Sequence, residues 1–292
     1  MGLQQLKKQL KQELKQQERK TKRSNRKYWL FFILIVIVGA ALVPVYRQQQ
    51  LVVPQQLFTQ AIKLESQGKI ASAEAVYREI YTKYPQTAEA TESLLKIARI
   101  EQYDRQDEQR ALLNYLQLEH DYPSSPLVLA AREAAAQIIK YTLRDYSRAI
   151  EYYHRLLELD GGSPDHYYYE IADCYFRLKN YPQARIELET LLEKYPDSPL
   201  AADALYRRGG LFLLEGRGKE AREDWQQLIN TYPDSQFRYL AELDLAKQLE
   251  EEGLFEEALR RYQQLAAEKK TAILSQKISH LKQRIAKKKG VL

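Results

Sequence analysis

A tyrosine–proline pair recurs along this 292-residue chain, at Tyr84-Pro85, Tyr122-Pro123, Tyr195-Pro196 and Tyr232-Pro233. Each proline stands twelve residues after a small alanine: Ala73, Ala111, Ala184 or Ala221. Four residues after that alanine comes a large side chain, Tyr77, Tyr115, Leu188 or Trp225. Two further copies keep only the alanine and the aromatic, Ala149/Tyr153 and Ala258/Tyr262, so the alanines step by 38, 38, 35, 37 and 37 residues. One unit is repeated at the period of helical hairpins, which predicts a solenoid.

The residues of the unit explain its shape. An alanine and a large side chain four positions apart share one helix face, where the small residue admits a neighbouring helix and the ring fills the adjacent gap. The proline lacks an N–H and restricts the residue before it, so it ends the second helix of each hairpin. Ser125-Pro126, Ser163-Pro164 and Ser198-Pro199 then offer an N-cap oxygen followed by a proline at the first helical position. Glycine and proline are few and gather at turns, and no alternating strand pattern appears, so the fold class is all-α.

The fourth copy reads Tyr168-x-x-Ile171-Ala172-x-x-Tyr175, Asn180-Tyr181-x-x-Ala184 and Tyr195-Pro196-Asp197-Ser198-Pro199. It resembles a tetratricopeptide repeat (TPR) in nearly full form. The Tyr-Pro-x-Ser wording is similar to that of bacterial envelope members, among them the TPR lipoprotein of the outer-membrane β-barrel assembly machine and the Tol–Pal-associated coordinator of cell division. The resemblance runs from Gln56 to about Lys270 and implies about six hairpins. It departs in two copies: Gln106-Asp107-Glu108 stand where the turn usually has an aromatic, and Asp160-Gly161-Gly162 replace a closing Tyr-Pro.

Residues 28–46, YWLFFILIVIVGAALVPVY, carry no charge and would reach roughly 28 Å as a helix, close to a bilayer's hydrocarbon thickness. Tyr28, Trp29 and Tyr46 stand at its ends, and Lys27 and Arg47 bound it. Residues 1–27 hold ten Lys or Arg against two Glu, leaving 35 basic and 37 acidic residues of the chain's 45 and 39 for the remainder. The positive excess is therefore N-terminal, which predicts a cytoplasmic N-terminus and repeats beyond the membrane. The near-neutral repeats give no case for nucleic-acid binding. A cleaved secretory signal is the competing reading, with small residues at Val38-Gly39-Ala40 and Gly39-Ala40-Ala41. The long basic leader and the apolar run to Val45 oppose it. No cysteine lies near residues 38–48, so lipoprotein attachment is closed and an inner-membrane location is expected.

The expected organisation is a basic cytoplasmic tail at 1–27, a signal-anchor at 28–46, a linker at 47–55, the TPR solenoid at 56–270, and a capping helix with a basic tail at 271–292. The cap rests on Leu274, Leu281, Ile278 and Ile285 at helical spacing. Leu3, Leu6, Leu10 and Leu14 form a narrow stripe in the leader, readable as part of a solvated tail or as a face for lipid or another helix.

Catalysis finds no support. His120, His154, His166 and His280 are scattered without partners at metal-ligand spacing, and Cys174 stands alone and reads as a packing residue. Glu251-Glu252 and Glu256-Glu257 read as solvated turns; no phosphate loop or nucleophile elbow occurs. Neither a cofactor, a metal nor a small-molecule substrate is expected.

A groove lined by the first helix of each hairpin is what the resemblance implies for binding. In the fourth and fifth copies the residues left over after core assignment are His166, Tyr169, Asp173, Arg177, Asp203, Tyr206 and Leu213. Tyr168, Tyr175 and Tyr181 read instead as packing residues. Tyr169 and Asp173 stand where a carboxylate-clamping Lys–Asn pair would be needed, so an extended or helical segment of an envelope protein is the expected ligand. The expected function is a non-catalytic scaffold in envelope assembly or coordination. The alternatives are a translocon-associated, chaperone-like subunit and a secreted, processed modulator of a cell-wall enzyme.

Overall fold

The computed structural model describes residues 2–290. Within its first helix the side chains of 3–6, 9–10, 12–13, 16–28, 30, 41 and 44–51 lie outside the description. The described residues form thirteen α-helices and two π-helical turns, with no strand. They divide into two compact units, one ending at Asp107 and the other beginning at Glu108.

The first unit holds α1 (Leu3–Ser66), α2 (Ile70–Lys83) and α3 (Ala88–Arg99), which runs on into a π-turn at Ile100–Asp104. The expected linker 47–55 is helical, part of the unbroken α1. The C-terminal end of α1 is held by Phe58 against Tyr77 at 5.6 Å between ring centroids, and by Glu65, which accepts from the Tyr77 hydroxyl at 2.7 Å and from Lys96 at 3.0 Å. The expected transmembrane helix is not found as such: among the described residues no helix is long and apolar enough to cross a membrane. Residues 31–40 of that stretch are all exposed. Tyr28, Leu30, Ala41 and residues 44–46 of that expectation lie outside the described side chains, as do Leu3, Leu6 and Leu10 of the leader stripe.

The second unit holds α4 (Glu108–Asp121), α5 (Leu127–Gln137) with a π-turn at Ile138–Thr142, α6 (Tyr146–Leu157), α7 (Pro164–Arg177), α8 (Tyr181–Lys194), α9 (Ala201–Leu214), α10 (Gly218–Thr231), α11 (Arg238–Glu251), α12 (Phe255–Glu268) and α13 (Ala272–Lys288). Each helix packs on the next in antiparallel hairpins. The six repeat alanines lie on α2, α4, α6, α8, α10 and α12 with no exposed surface, and the large residue four positions later is buried in every copy. Helices α2, α4, α8 and α10 stop at the residue before the Tyr of a Tyr-Pro pair, as the missing proline N–H requires. Ser125 and Ser198 each accept a backbone N–H on Oγ, from Leu127 at 3.2 Å and Leu200 at 3.1 Å. Their prolines nevertheless sit in a turn, and the helices begin later than the N-cap reading places them, at Leu127 and Ala201. Pro164 does open α7, while Ser163 makes no side-chain cap.

The turn between the two helices of every copy is built around one left-handed residue. Gly68, Gln106, Arg144, Lys179, Gly216 and Gly253 have φ between 54° and 79°, and each stands five residues before its repeat alanine. In four copies the turn closes with an N–H bonded five residues back, as Asn180 to Tyr175 at 2.9 Å and Arg217 to Phe212 at 2.8 Å. In the two π-turn copies the bond reaches six back, Asp107 to Glu101 at 2.8 Å and Asp145 to Ile139 at 3.0 Å. These are the copies with the 38-residue step: their first helices carry one extra residue, which the π-turn absorbs.

The C-terminal helix α13 is capped by the Thr271 hydroxyl, which accepts from Leu274 N–H at 3.2 Å. Leu274 and Leu281 are buried in the core that also holds Tyr262 and Leu265, with Ile278 packed alongside.

Candidate functional site

The first helices α7, α9 and α11 lie side by side, and residues about one repeat apart fall in register. One such row reads Lys140, Asp173, Arg207, Asp244, alternating in sign from helix to helix. Lys140, placed by the π-turn and only 2% exposed, pairs with Asp173 at 2.8 Å and with Glu170. Asp173 in turn meets Arg207 at 3.3 Å. Burial alone would raise the Asp173 carboxyl, but Lys140, Arg177 and Arg207 outweigh it and hold the group below the ordinary carboxylate range. Burial likewise opposes the Lys140 charge, and its two carboxylates reverse the effect, so its pKa is raised.

Tyrosines tie the same helices together. Tyr169 on α7 donates its hydroxyl to Asp203 on α9 at 2.5 Å, and Tyr206 on α9 donates to Asp244 on α11 at 2.8 Å. Burial, then the acceptor carboxylate, pushes both phenols up. The Tyr169 ring also carries the Arg207 guanidinium at 4.9 Å, and Arg207 Nε donates to Asp203 at 3.0 Å. Trp225 from α10 lies against the backbone of α9. Its Nε1 donates to the Tyr206 carbonyl at 3.2 Å, and a Cβ at Gly209 would come within 2.8 Å of its Cδ1. Glycine is required there for the indole to reach its place.

These elements enclose a cavity of about 280 Å³, open on one side. Its walls are the rings of Tyr169, Phe176, Tyr206 and Trp225 with Leu188, Leu211 and Leu214, and its rim carries Asp173, Arg207 and Asp244. Gly210 also lines it, and a Cβ there would meet nothing within 4 Å.

Of the seven residues expected from the sequence, Tyr169, Asp173 and Tyr206 line this cavity. Asp203 lies outside the lining and holds Tyr169 and Arg207 in place. Arg177 flanks Asp173 at 3.6 Å, and His166 pairs with Glu170 at 3.5 Å. Leu213 is exposed outside the lining; its neighbour Leu214 takes the wall. Arg207 and Asp244 follow Asp173 by 34 and 71 residues, three short of the one and two alanine steps of 37, so the repeat count alone does not point to them. Phe176 and Gly210 carry no signal of their own. Tyr168, Tyr175 and Tyr181 pack against a buried cluster, as expected. Cys174 is fully buried, and burial pushes its thiol up to about 12, far from a reactive thiolate. Among the described residues no group of His, Cys, Asp or Glu could hold a metal ion. The arrangement offers an aromatic recess among carboxylates that are already matched, which suits contact with a side chain.

Comparison with known proteins agrees with this architecture. Residues 141–208 and 203–235 each match a family model described as tetratricopeptide repeat. Among solved structures, the chain is similar to YrrB, described as a TPR protein with an unusual peptide-binding site. The two are 15% identical, 71% of this chain and 97% of that one are covered, and the TM-score is 0.51. It is also similar to MamA at 19% identity, over 62% of this chain and 92% of that one, with a TM-score of 0.50. A chain of the Naa15/Naa10 complex bound to HypK-THB matches at 16% identity over 84% of this chain and 36% of its own length, with a TM-score of 0.58. No curated protein matches in sequence. At these identities the structures speak for the fold alone, and it is the family models that name the repeat: residues 141–235 of this chain match the tetratricopeptide repeat.

Proposed function

We propose that this chain is a non-catalytic adaptor held in a bacterial inner membrane by residues 28–46, with residues 1–27 in the cytoplasm and the repeats in the periplasm. There the α7–α9–α11 face grips a segment of another envelope protein. The observation that carries the binding half is the aromatic cavity, whose tyrosine hydroxyls and carboxylates bond to one another and leave ring faces and apolar walls for a partner. YrrB, similar in fold, is described as having a peptide-binding site, which is compatible with the same use here. The anchoring half is supported by the charge-free stretch from Tyr28 to Tyr46 and the basic excess before it.

A photo-crosslinking residue placed at Phe176 or Leu214, both exposed at the cavity mouth, tests the binding half in cells. Few discrete adducts are expected, and they should vanish when Gly210→Leu fills the recess; adducts that survive would place the partner elsewhere. For the anchor, protease added to spheroplasts should degrade the repeats, and N-terminal sequencing of the membrane fraction should find the basic leader intact. A mature chain starting near Ala41 would overturn it.

A further inference from the structure

We propose that the segment received by the cavity is acidic: a large aromatic or aliphatic side chain enters the recess while carboxylates beside it in the ligand meet Arg177, Arg207 and Lys247. This deepens the binding half of the proposed function and rests on it. Formal charge around the mouth is balanced, but the two signs lie at different depths. The side chains of Arg177, Arg207 and Lys247 are 56%, 44% and 50% exposed, whereas those of Asp173, Asp203 and Asp244 are 12%, 16% and 26% exposed. An approaching peptide therefore meets cations first, with their counter-ions beneath them.

The donors point the same way. Asp173 is shared by Lys140, Arg177 and Arg207, Asp203 by Tyr169 and Arg207, and Asp244 by Tyr206 and Lys247. The cations have capacity left. Arg207 uses Nε and Nη1 and keeps Nη2, Arg177 reaches Asp173 only at 3.6 Å, and Lys247 spends one of three donors on Asp244. A ligand carboxylate adds acceptors where donors are in surplus, whereas a ligand ammonium would compete for carboxylates that are already occupied. The recess itself sets the anchor's size. At about 280 Å³ it is nearly twice the ~150 Å³ cavity that suffices for benzene, so it has room for an indole or a phenyl ring.

The test uses the full-length chain in detergent and short fluorescent peptides, acetylated and amidated so that no terminal charge contributes. The peptides share one flexible scaffold and differ in anchor (Trp or Ala) and in flanking residues (Glu, Gln or Lys). The Trp peptide flanked by Glu should bind on the order of tenfold more tightly than its Lys counterpart, with the Gln peptide between them and the difference shrinking as salt rises. Arg207→Gln should reduce the Glu-over-Lys preference and keep the Trp-over-Ala preference. Gly210→Leu, whose new side chain starts in open space, should abolish both. Equal binding of the three Trp peptides, or a preference for Lys, would overturn the inference and leave the cavity as a site. Indifference to Gly210→Leu, or no binding of any Trp peptide, would remove the site itself.

Discussion

Lys140 is a buried cation whose two carboxylate partners lie on the next repeat's first helix. It is buried between Glu170 and Asp173, and removing it would leave Glu170 to the Tyr141 hydroxyl and Asp173 to the half-exposed Arg177 and Arg207. Lys140→Met should cost about 3–5 kcal/mol at neutral pH in chemical denaturation. The sign of the pH dependence follows from the shifts. The Asp173 carboxyl is depressed in the fold, so its contribution is present above its unfolded pKa and is lost as pH falls through the folded value. Lys140 is raised, so its contribution is full below its unfolded pKa and is lost in alkali as pH climbs through the folded one. The deficit of the mutant should therefore shrink on acidification as Asp173 protonates; a deficit unchanged between pH 7 and the carboxylate range would refute the pairing. Tyr169 offers a second test at this scale. Its ring faces the cavity, but its hydroxyl is committed to Asp203, so Tyr169→Phe should lower stability by about 1.5–3 kcal/mol while keeping the ring wall. Sequence reasoning identified Tyr169, Asp173 and Tyr206 because they are polar or aromatic residues unclaimed by the repeat core. It could not show that the hydroxyls are bonded to Asp203 and Asp244, since those partners lie one repeat away and the contact depends on how neighbouring helices are rotated.

Helix by helix, the repeat alanines and the aromatic residues after them were legible because a helix face has a fixed period and a small-plus-large pair has one efficient packing. The ends of the second helices were legible for an equally local reason, the proline's missing donor. The starts of α5 and α9 were misplaced because Ser-Pro can cap a helix or open a turn ahead of one, and it falls in a turn in the two copies where a Tyr-Pro precedes it. The π-turns also escaped notice, although their trace was present as the 38-residue steps. A further prediction concerns the left-handed turn position, where three copies use glycine and three do not. Lys179 is exposed with φ 60°, a conformation that costs a side-chain-bearing residue roughly 1–2 kcal/mol. Part of that gain is offset by the added freedom of glycine in the unfolded chain, so Lys179→Gly should stabilise by about 0.5–1 kcal/mol. Gly216→Ala should destabilise by a similar amount, and thermal melts of the pair would check both signs.

Across the second unit, stability is expected to behave as a chain of neighbouring terms, because each helix packs on the one before and after it. The terminal helix α13 closes that chain by burying Leu274 and Leu281 against Tyr262 and Leu265. Each leucine is worth about 1.5–3 kcal/mol when removed from water. Truncation before Thr271 should thus loosen α11 and α12 first, seen as faster amide exchange over 238–268 with little change at α7; uniform loosening would argue against a sum of local terms. The spacing of the repeats carries one more implication. From the left-handed residue to the alanine, and from the alanine to the Ser or Thr that opens the next copy, the count is invariant at five and fourteen residues. Length variation is confined to the stretch between, the first helix of each hairpin. An array governed in this way can vary its first helices by single insertions, each swallowed as one widened coil, while its second helices keep the same metre.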